Sequence, residues 1–222
     1  MIKGFSENTI TYLNNLELNN NKTWFEAHRG DYENYLLKPF KELVEYLTPY
    51  MLEIDPYFDL RFNKCISRIY RDVRFSKDKA PYRNNMWITF KRESKDWKQE
   101  PSYYFELSPK GYKLGMGYYN ISKEILEKIK KLIEEEDEEF TRFYSLIENQ
   151  KVFRLEGESY KRILNNNIDE KYRNWYQKKQ LYFVCEKGVN DTLLGGDLVQ
   201  ELVDGFRFLQ PGYEFLLSLR EN

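Results

Sequence analysis

Residues 103–118 read YYFELSPKGYKLGMGY, and this stretch decides the fold. Two runs rich in aromatic and aliphatic residues, 103–107 and 112–118, flank the tetrapeptide Ser108-Pro109-Lys110-Gly111. Proline at the second position and glycine at the fourth suit a type I turn. Aromatic residues on both sides of such a turn favour strands. The sequence therefore predicts an antiparallel β-hairpin.

Further strands are predicted on both sides of this hairpin. In 86–92, Met86, Ile88 and Phe90 alternate with polar or amphipathic residues, which is the period of a half-buried strand. The short apolar run 181–186 predicts another strand. Residues 65–71 also resemble a strand, but the apolar residues of 65–73 have helical spacing as well. Strand and helix both remain open for that segment.

Helices are predicted at both ends of the chain. The first begins after Ser6 and runs to about Leu18, and a second, short helix carries Trp24 and Phe25. A third begins at Asp31, and Pro39 is expected to kink it or to mark the start of a new helix. After the hairpin, helices are predicted from Ser122, over 140–147 and 170–177, from Asp197, and from Pro211. The chain is therefore predicted to be α+β, with a central, mainly antiparallel sheet flanked by N-terminal and C-terminal helices. Without an internal repeat or linker, 1–222 is predicted to be a single domain.

Composition excludes several classes of protein. The chain has 222 residues, of which 41% are hydrophobic and 32% charged, so disorder throughout is excluded. No apolar run approaches the ~20 residues that cross a bilayer, and residues 1–7 lack a signal-peptide pattern. Two cysteines and one histidine exclude a disulfide scaffold and a Cys/His zinc site. A carboxylate-only Mg²⁺ site remains open, but the cations around Asp72 and Asp78 oppose it. No metal and no cofactor are predicted. We expect the protein to be located in the reducing cytoplasm. Cys65 and Cys185 are accordingly predicted to be free, buried thiols.

Charge is distributed unevenly along the chain. Between Arg61 and Arg92 there are ten Lys or Arg and two Asp, which leaves a net charge of −9 on the rest of a chain whose total is −1. The six acids of 134–139 are interpreted as a solvated helix end. The sequence pI of about 6.1 is too low for a globally basic protein, so we do not expect nucleic acid as the partner. A local anion site remains compatible with this distribution.

Residues 68–83, RIYRDVRFSKDKAPYR, are the most unusual segment. Aromatic residues are interleaved with six cations, and we expect packed rings to hold the basic groups in place. Arginine forks match the oxygens of carboxylates and phosphates. The predicted ligand is a small anion, such as a phosphorylated compound. The predicted ligand-binding residues are Arg68, Arg71, Asp72, Arg74, Lys77, Lys79, Tyr82 and Arg83. We expect Asp72 to be buried among the arginines and to orient them.

Three other interpretations of this segment remain open. Its cations can form a structural ion-pair network, or belong to an enzyme in which arginines stabilise developing charge and Asp72 or a tyrosine handles a proton. They can also form a basic face that docks an acidic protein. His28 follows Trp24 by four residues, so we expect it to pack beside the indole rather than to act as a catalytic base.

Two motifs carry a resemblance to a known family: 68–79 followed by Pro81-Tyr82-Arg83, and Asn20-Asn21 followed by Trp24-Phe25. They resemble the signatures of an uncharacterised bacterial and fungal family, domain of unknown function 2461. Residues 104–107 and 115–119 resemble its hairpin, and 206–211 with Phe215-Leu216 resemble its end. The resemblance implies one α+β domain with no established activity, so it identifies no catalytic residue.

Overall fold

The computed structural model describes residues 4–221 and confirms the α+β class. Five strands form one antiparallel sheet in the order β1-β2-β3-β5-β4. The strands are β1 (Met86–Phe90), β2 (Pro101–Ser108), β3 (Gly111–Tyr118), β4 (Arg154–Glu156) and β5 (Tyr182–Gly188). In the pair of β4 with β5, Leu155 lies opposite Phe183.

Helices precede and follow the central strands, as predicted. Before β1 lie α1 (Glu7–Leu18), α2 (Lys22–Ala27), α3 (Arg29–Asp31), a π-helix (Tyr32–Leu37), α4 (Lys38–Ile54) and α5 (Phe62–Cys65). After β3 lie α6 (Lys123–Glu134), α7 (Glu138–Glu148), α8 (Arg173–Tyr176), α9 (Asp191–Leu194) and α10 (Asp197–Glu221). Single turns of 3₁₀-helix occupy Trp97–Gln99 and Glu170–Tyr172.

The predicted hairpin is confirmed by β2 and β3, which are joined by Pro109 and Lys110. Gly111 begins β3 with a φ of +141°, a conformation that L side chains rarely adopt. A Cβ atom at Gly111 would lie 2.1 Å from the carbonyl oxygen of Lys187. The close approach of another backbone therefore requires glycine at this end of the turn.

Of the two alternatives left open for 65–73, neither a strand nor a helix extends over the segment. Cys65 ends α5, and the residues after it form only isolated antiparallel bridges, Ile66 with Ile88 and Tyr70 with Tyr82. Pro81 has no N–H group, so this residue accepts a hydrogen bond from Arg71 but donates none to a ladder. The segment that carries the basic residues is therefore extended but irregular.

Two helix boundaries differ from the prediction. Asp31 lies inside a continuous helical run, with φ −67° and ψ −43°, and its side chain caps nothing. Pro39 marks a new start as predicted, because α4 begins at Lys38 directly after the π-helix. At the other end of the chain, α10 continues through Pro211 instead of ending before it. Burial of Leu209 and Tyr213 on both sides of this proline outweighs the missing N–H group.

Two compact units are distinguished within the chain. The first comprises the described residues up to Phe90 with Tyr104–Leu114 and Glu186–Gly205, and the second comprises Lys91–Tyr103, Gly115–Cys185 and the described residues from Phe206 onward. The prediction of a single domain over 1–222 stays a prediction. In the first unit, the buried Phe5 ring contacts those of Phe40 and Phe105, with centroids 5.1 and 5.9 Å away.

Aromatic side chains also dominate the core of the second unit. The Phe143 ring lies 5.0 Å from Phe183 and 5.5 Å from Trp175, each measured between centroids. A Cβ atom at Gly212 would lie 2.2 Å from the Phe143 ring, so α10 approaches α7 closely. Such dense ring packing fixes the positions of short elements that have little intrinsic stability.

The cysteine prediction is confirmed, since Cys65 and Cys185 are both buried thiols that form no disulfide. Over residues 4–221, no helix combines the length and the apolar character needed to cross a bilayer. The same residues contain no group of three or more His, Cys, Asp or Glu side chains arranged to hold a metal ion. Residues 1–3, part of the segment predicted to lack a signal peptide, lie outside the described residues.

Candidate functional site

The basic segment, defined here as residues 66–85, connects α5 to β1 and is attached to the N-terminal helices at Tyr82. The Asn20 side chain accepts a hydrogen bond from the Tyr82 N–H and donates one to its carbonyl, at 3.0 and 2.9 Å. The Tyr82 ring stacks on Phe25 with 4.1 Å between centroids, and its burial raises the pKa of the phenol. Tyr82 is therefore an anchor of the segment, as expected for a packed ring.

A cleft with a volume of about 700 Å³ lies along this segment. We call it the arginine cleft. Five of the eight predicted residues line it: Arg68, Arg71, Asp72, Arg74 and Arg83. The remaining lining residues are Ser67, Tyr70, Val73 and Trp87. Lys77, Lys79 and Tyr82 lie outside the lining. The fold thus brings together the arginines of the motif but not its lysines.

The expectation that Asp72 is buried is wrong. More than half of its side chain, 55%, is exposed. The carboxylate accepts two hydrogen bonds from the Arg74 guanidinium, at 2.9 and 2.6 Å, and one from the Arg74 backbone N–H, at 3.2 Å. Only one residue separates these partners along the chain, so a local turn at the surface is enough to form the pair. The hydrogen bond from the Arg74 guanidinium is the main reason that the pKa of Asp72 falls to about 2.

Other members of the motif also have internal partners. Arg71 donates a 2.5 Å hydrogen bond to Asp78, which also accepts one from the Ala80 N–H. The Lys79 ammonium donates to the carbonyl of Val73 at 3.0 Å. The interpretation as an ion-pair network therefore applies to Arg71 and Arg74, whose charges are matched by neighbouring carboxylates.

Arg68 and Arg83 differ from these two, because neither has a carboxylate partner within the described part of the chain. The Arg83 guanidinium lies 4.9 Å above the centre of the Trp87 ring. Ser67 holds that tryptophan by donating its N–H to the Trp87 carbonyl and by accepting the Trp87 N–H on Oγ, at 2.9 and 3.0 Å. The cleft therefore contains two uncompensated guanidinium groups, one of them seated on a fixed ring.

Two residues that sequence reasoning missed, Ser67 and Trp87, shape this wall of the cleft. The signal for Trp87 was its position in β1, where it alternates with the buried Met86 and Ile88 and so faces away from the core. Ser67 carries no comparable signal, because a single serine in an extended segment is common. Its role follows only from the pairing with Trp87.

The expectation that all three aromatic residues of the motif are packed is wrong for Phe75. Its ring is 94% exposed and lies beside the Arg74 guanidinium, whose central carbon is 5.8 Å from the ring centre. Tyr70 is half-exposed, but its ring still contacts Tyr82 and Phe25, with centroids 5.4 and 5.9 Å away. The rings of Tyr70 and Tyr82 therefore hold the segment against its neighbours, whereas the part around Phe75 is open to solvent.

Two other features have structural roles, as predicted. His28 stacks on Trp24 with 4.1 Å between centroids, and its Nδ1 lies 2.8 Å from the Trp24 carbonyl oxygen. The acidic run of 134–139 spans the end of α6 and the start of α7, where Asp137 accepts hydrogen bonds from Glu139 and Phe140. Its carboxylates are mostly exposed, as expected for a solvated helix end.

Residues 8–215 match the family described as Conserved hypothetical protein (DUF2461). The chain belongs to this family. Because the match covers nearly the whole chain, the DUF2461 region includes both the arginine cleft and the helices that hold it. A search among curated proteins found no match.

In this DUF2461 protein, the Asp72 carboxyl is expected to titrate near pH 2 in the folded state, because protonation breaks its pair with Arg74. A folded-state pKa below the unfolded value means that the pair stabilises the fold at neutral pH and is lost as the pH falls through the folded pKa. Carboxyl NMR titration measures the midpoint. In Arg74→Gln the Asp72 midpoint should rise toward the ordinary value of 3.8, while that of Asp59, paired with Arg61, stays unchanged. Equal Asp72 midpoints in both proteins would contradict the assignment.

Proposed function

We propose that this DUF2461 protein binds a small anion, such as a phosphorylated compound, in the arginine cleft. The observation that carries the proposal is that Arg68 and Arg83 line one concave surface while neither has a carboxylate partner in residues 4–221. An arginine already paired with a carboxylate gains little from a second anion. An unpaired one keeps its donors for a ligand oxyanion.

The immobilisation of Arg83 further supports binding. Its guanidinium rests on the Trp87 ring, so less side-chain entropy is lost when an anion is bound. Ser67 uses its oxygen as acceptor toward the Trp87 N–H, which leaves the hydroxyl proton for a ligand oxygen. The cleft thus combines charged and neutral donors, as anion sites commonly do.

The concave form of the cleft supports ligand binding over the other interpretations. A flat basic face would suit an acidic protein partner, whereas a cleft of about 700 Å³ falls in the size range of small-molecule sites. The paired residues Arg71 and Arg74 also line the cleft, and their ion pairs with Asp78 and Asp72 support its shape. We further propose a reducing, cytoplasmic location, which suits two cysteines that form no disulfide.

Calorimetric titration with inorganic phosphate tests the proposal. Arg68→Gln and Arg83→Gln are each expected to weaken binding about tenfold or more, since a charge-assisted hydrogen bond contributes roughly 1.5–3 kcal/mol. Lys77→Gln removes one positive charge from the same segment but from outside the cleft, and Arg162→Gln removes one from an exposed site elsewhere. Both controls should retain the wild-type affinity.

The four variants separate a specific site from general electrostatic attraction. Equal weakening by Lys77→Gln and Arg83→Gln would show that net charge, and not the cleft, attracts phosphate. Wild-type protein that binds neither phosphate nor pyrophosphate would overturn the proposal.

A further inference from the structure

A second hollow adjoins the arginine cleft. It has a volume of about 450 Å³ and shares Ser67 and Arg68 with the cleft, so these two residues form a common wall. The other residues that line it are Tyr32, Leu37, Lys41, Phe62, Asn63 and Ile66. We call it the aromatic hollow, after Tyr32 and Phe62. A ligand group in the arginine cleft thus has a second space within reach on the other side of Arg68.

The lining of the aromatic hollow differs in character from that of the arginine cleft. Four of its eight lining residues have rings or aliphatic side chains, and none of the four is fully buried: Tyr32, Phe62, Leu37 and Ile66. Lys41, Asn63 and Arg68 are the exposed polar members. Apolar walls with a few polar groups are typical of ligand sites.

The π-helix supplies one side of the hollow. Tyr32 and Leu37 are its first and last residues, and both line the space. π-Helical turns are rare and occur frequently at functional sites, because the wider turn displaces side chains from their α-helical positions. The Tyr32 ring is held from behind by Phe25 and Tyr12, with centroids 5.4 and 6.4 Å away. This wall is therefore formed in advance of any ligand.

We propose that the ligand of this protein carries an aromatic ring beside its oxyanion. The oxyanion binds to Arg68 and Arg83 in the arginine cleft, and the ring lies against Tyr32 and Phe62 in the aromatic hollow. This inference rests on the proposed function and adds the chemical class of the ligand. A flat ring suits the hollow because aromatic pairs gain from stacked or edge-on contact beyond the burial of area. The Asn63 amide offers both a donor and an acceptor to a polar ring substituent.

Calorimetric titration with three compounds tests the inference: inorganic phosphate, phenyl phosphate and butyl phosphate. Wild-type protein is expected to bind phenyl phosphate about tenfold tighter than inorganic phosphate, with a smaller gain for butyl phosphate. Asn63→Trp should fill the hollow and abolish the gain of phenyl phosphate over inorganic phosphate. Asn166→Trp, the same change at an exposed position elsewhere, should retain the gain.

Nuclear Overhauser contacts in the wild-type protein provide a readout that needs no variant. Phenyl protons of the bound ligand are expected to show contacts with the Leu37 methyl groups. Failure of all three compounds to bind would overturn the proposed function. Binding of inorganic phosphate without any gain for phenyl phosphate, or a gain that persists in Asn63→Trp, would overturn the aromatic class and leave the anion site standing.

Discussion

Gly111→Ala is expected to lower the free energy of unfolding by about 3 kcal/mol. The new Cβ atom would lie 2.1 Å from the Lys187 carbonyl oxygen and 2.7 Å from the Gly188 Cα, so two segments of backbone must move apart. The φ of +141° adds strain, because an alanine rarely adopts it. Unusual backbone conformations and overpacking each cost roughly 1–3 kcal/mol.

Gly188→Ala is the matched control for this change. A Cβ atom at Gly188 has its nearest neighbour, the Lys110 carbonyl oxygen, 4.0 Å away, which is an ordinary contact. We expect its effect to stay within about 1 kcal/mol, as for a glycine replaced without steric conflict. Urea unfolding followed by circular dichroism measures both variants. Equal midpoints for the two would show that the approach at Gly111 does not limit stability.

Arg220→Gln is expected to lower the free energy of unfolding by about 3–5 kcal/mol, because it leaves a buried carboxylate without its counter-charge. Arg220 near the end of α10 pairs with Glu100, whose side chain is only 8% exposed. The second carboxylate oxygen of Glu100 has no hydrogen-bond partner within the described residues. The charge on Glu100 therefore depends on this one arginine.

Two comparison variants separate burial from simple loss of an ion pair. Asp96 also contacts Arg220, at 3.6 Å, but is 64% exposed, so Asp96→Asn should cost at most about 1 kcal/mol. The double variant Glu100→Gln with Arg220→Gln should recover part of the loss, since no unpaired charge is then buried. A double variant less stable than Arg220→Gln alone would contradict the account, as would equal unfolding midpoints for Arg220→Gln and Asp96→Asn.

Local patterns were sufficient for most of the secondary structure. The turn at 108–111 and the alternation in 86–90 correctly predicted β1, β2 and β3, because strand periodicity and turn chemistry act over a few residues. Predictions failed where a distant contact outweighs local preference. Pro211 predicts the start of a helix, yet α10 continues past it because residues on both sides of the proline are packed in the core. Asp31 reads as a cap, yet the helical run passes through that residue.

For the candidate site, the sequence determined which groups are present, and the tertiary structure decided what each is free to do. The density of arginines in 68–83 is a property of the sequence and predicts an anion site by itself. A guanidinium is available to a ligand only if no carboxylate lies within about 4 Å of it. Coulomb energies at such short range change with small differences in distance and exposure. Only the fold shows that Arg71 and Arg74 are paired at the surface. It is likewise the fold that places the π-helix beside Arg68, because these two segments are far apart in the sequence and no local pattern records their approach. Trp87 follows Arg83 by only four residues, but its ring is positioned by the pairing of β1 with Ser67.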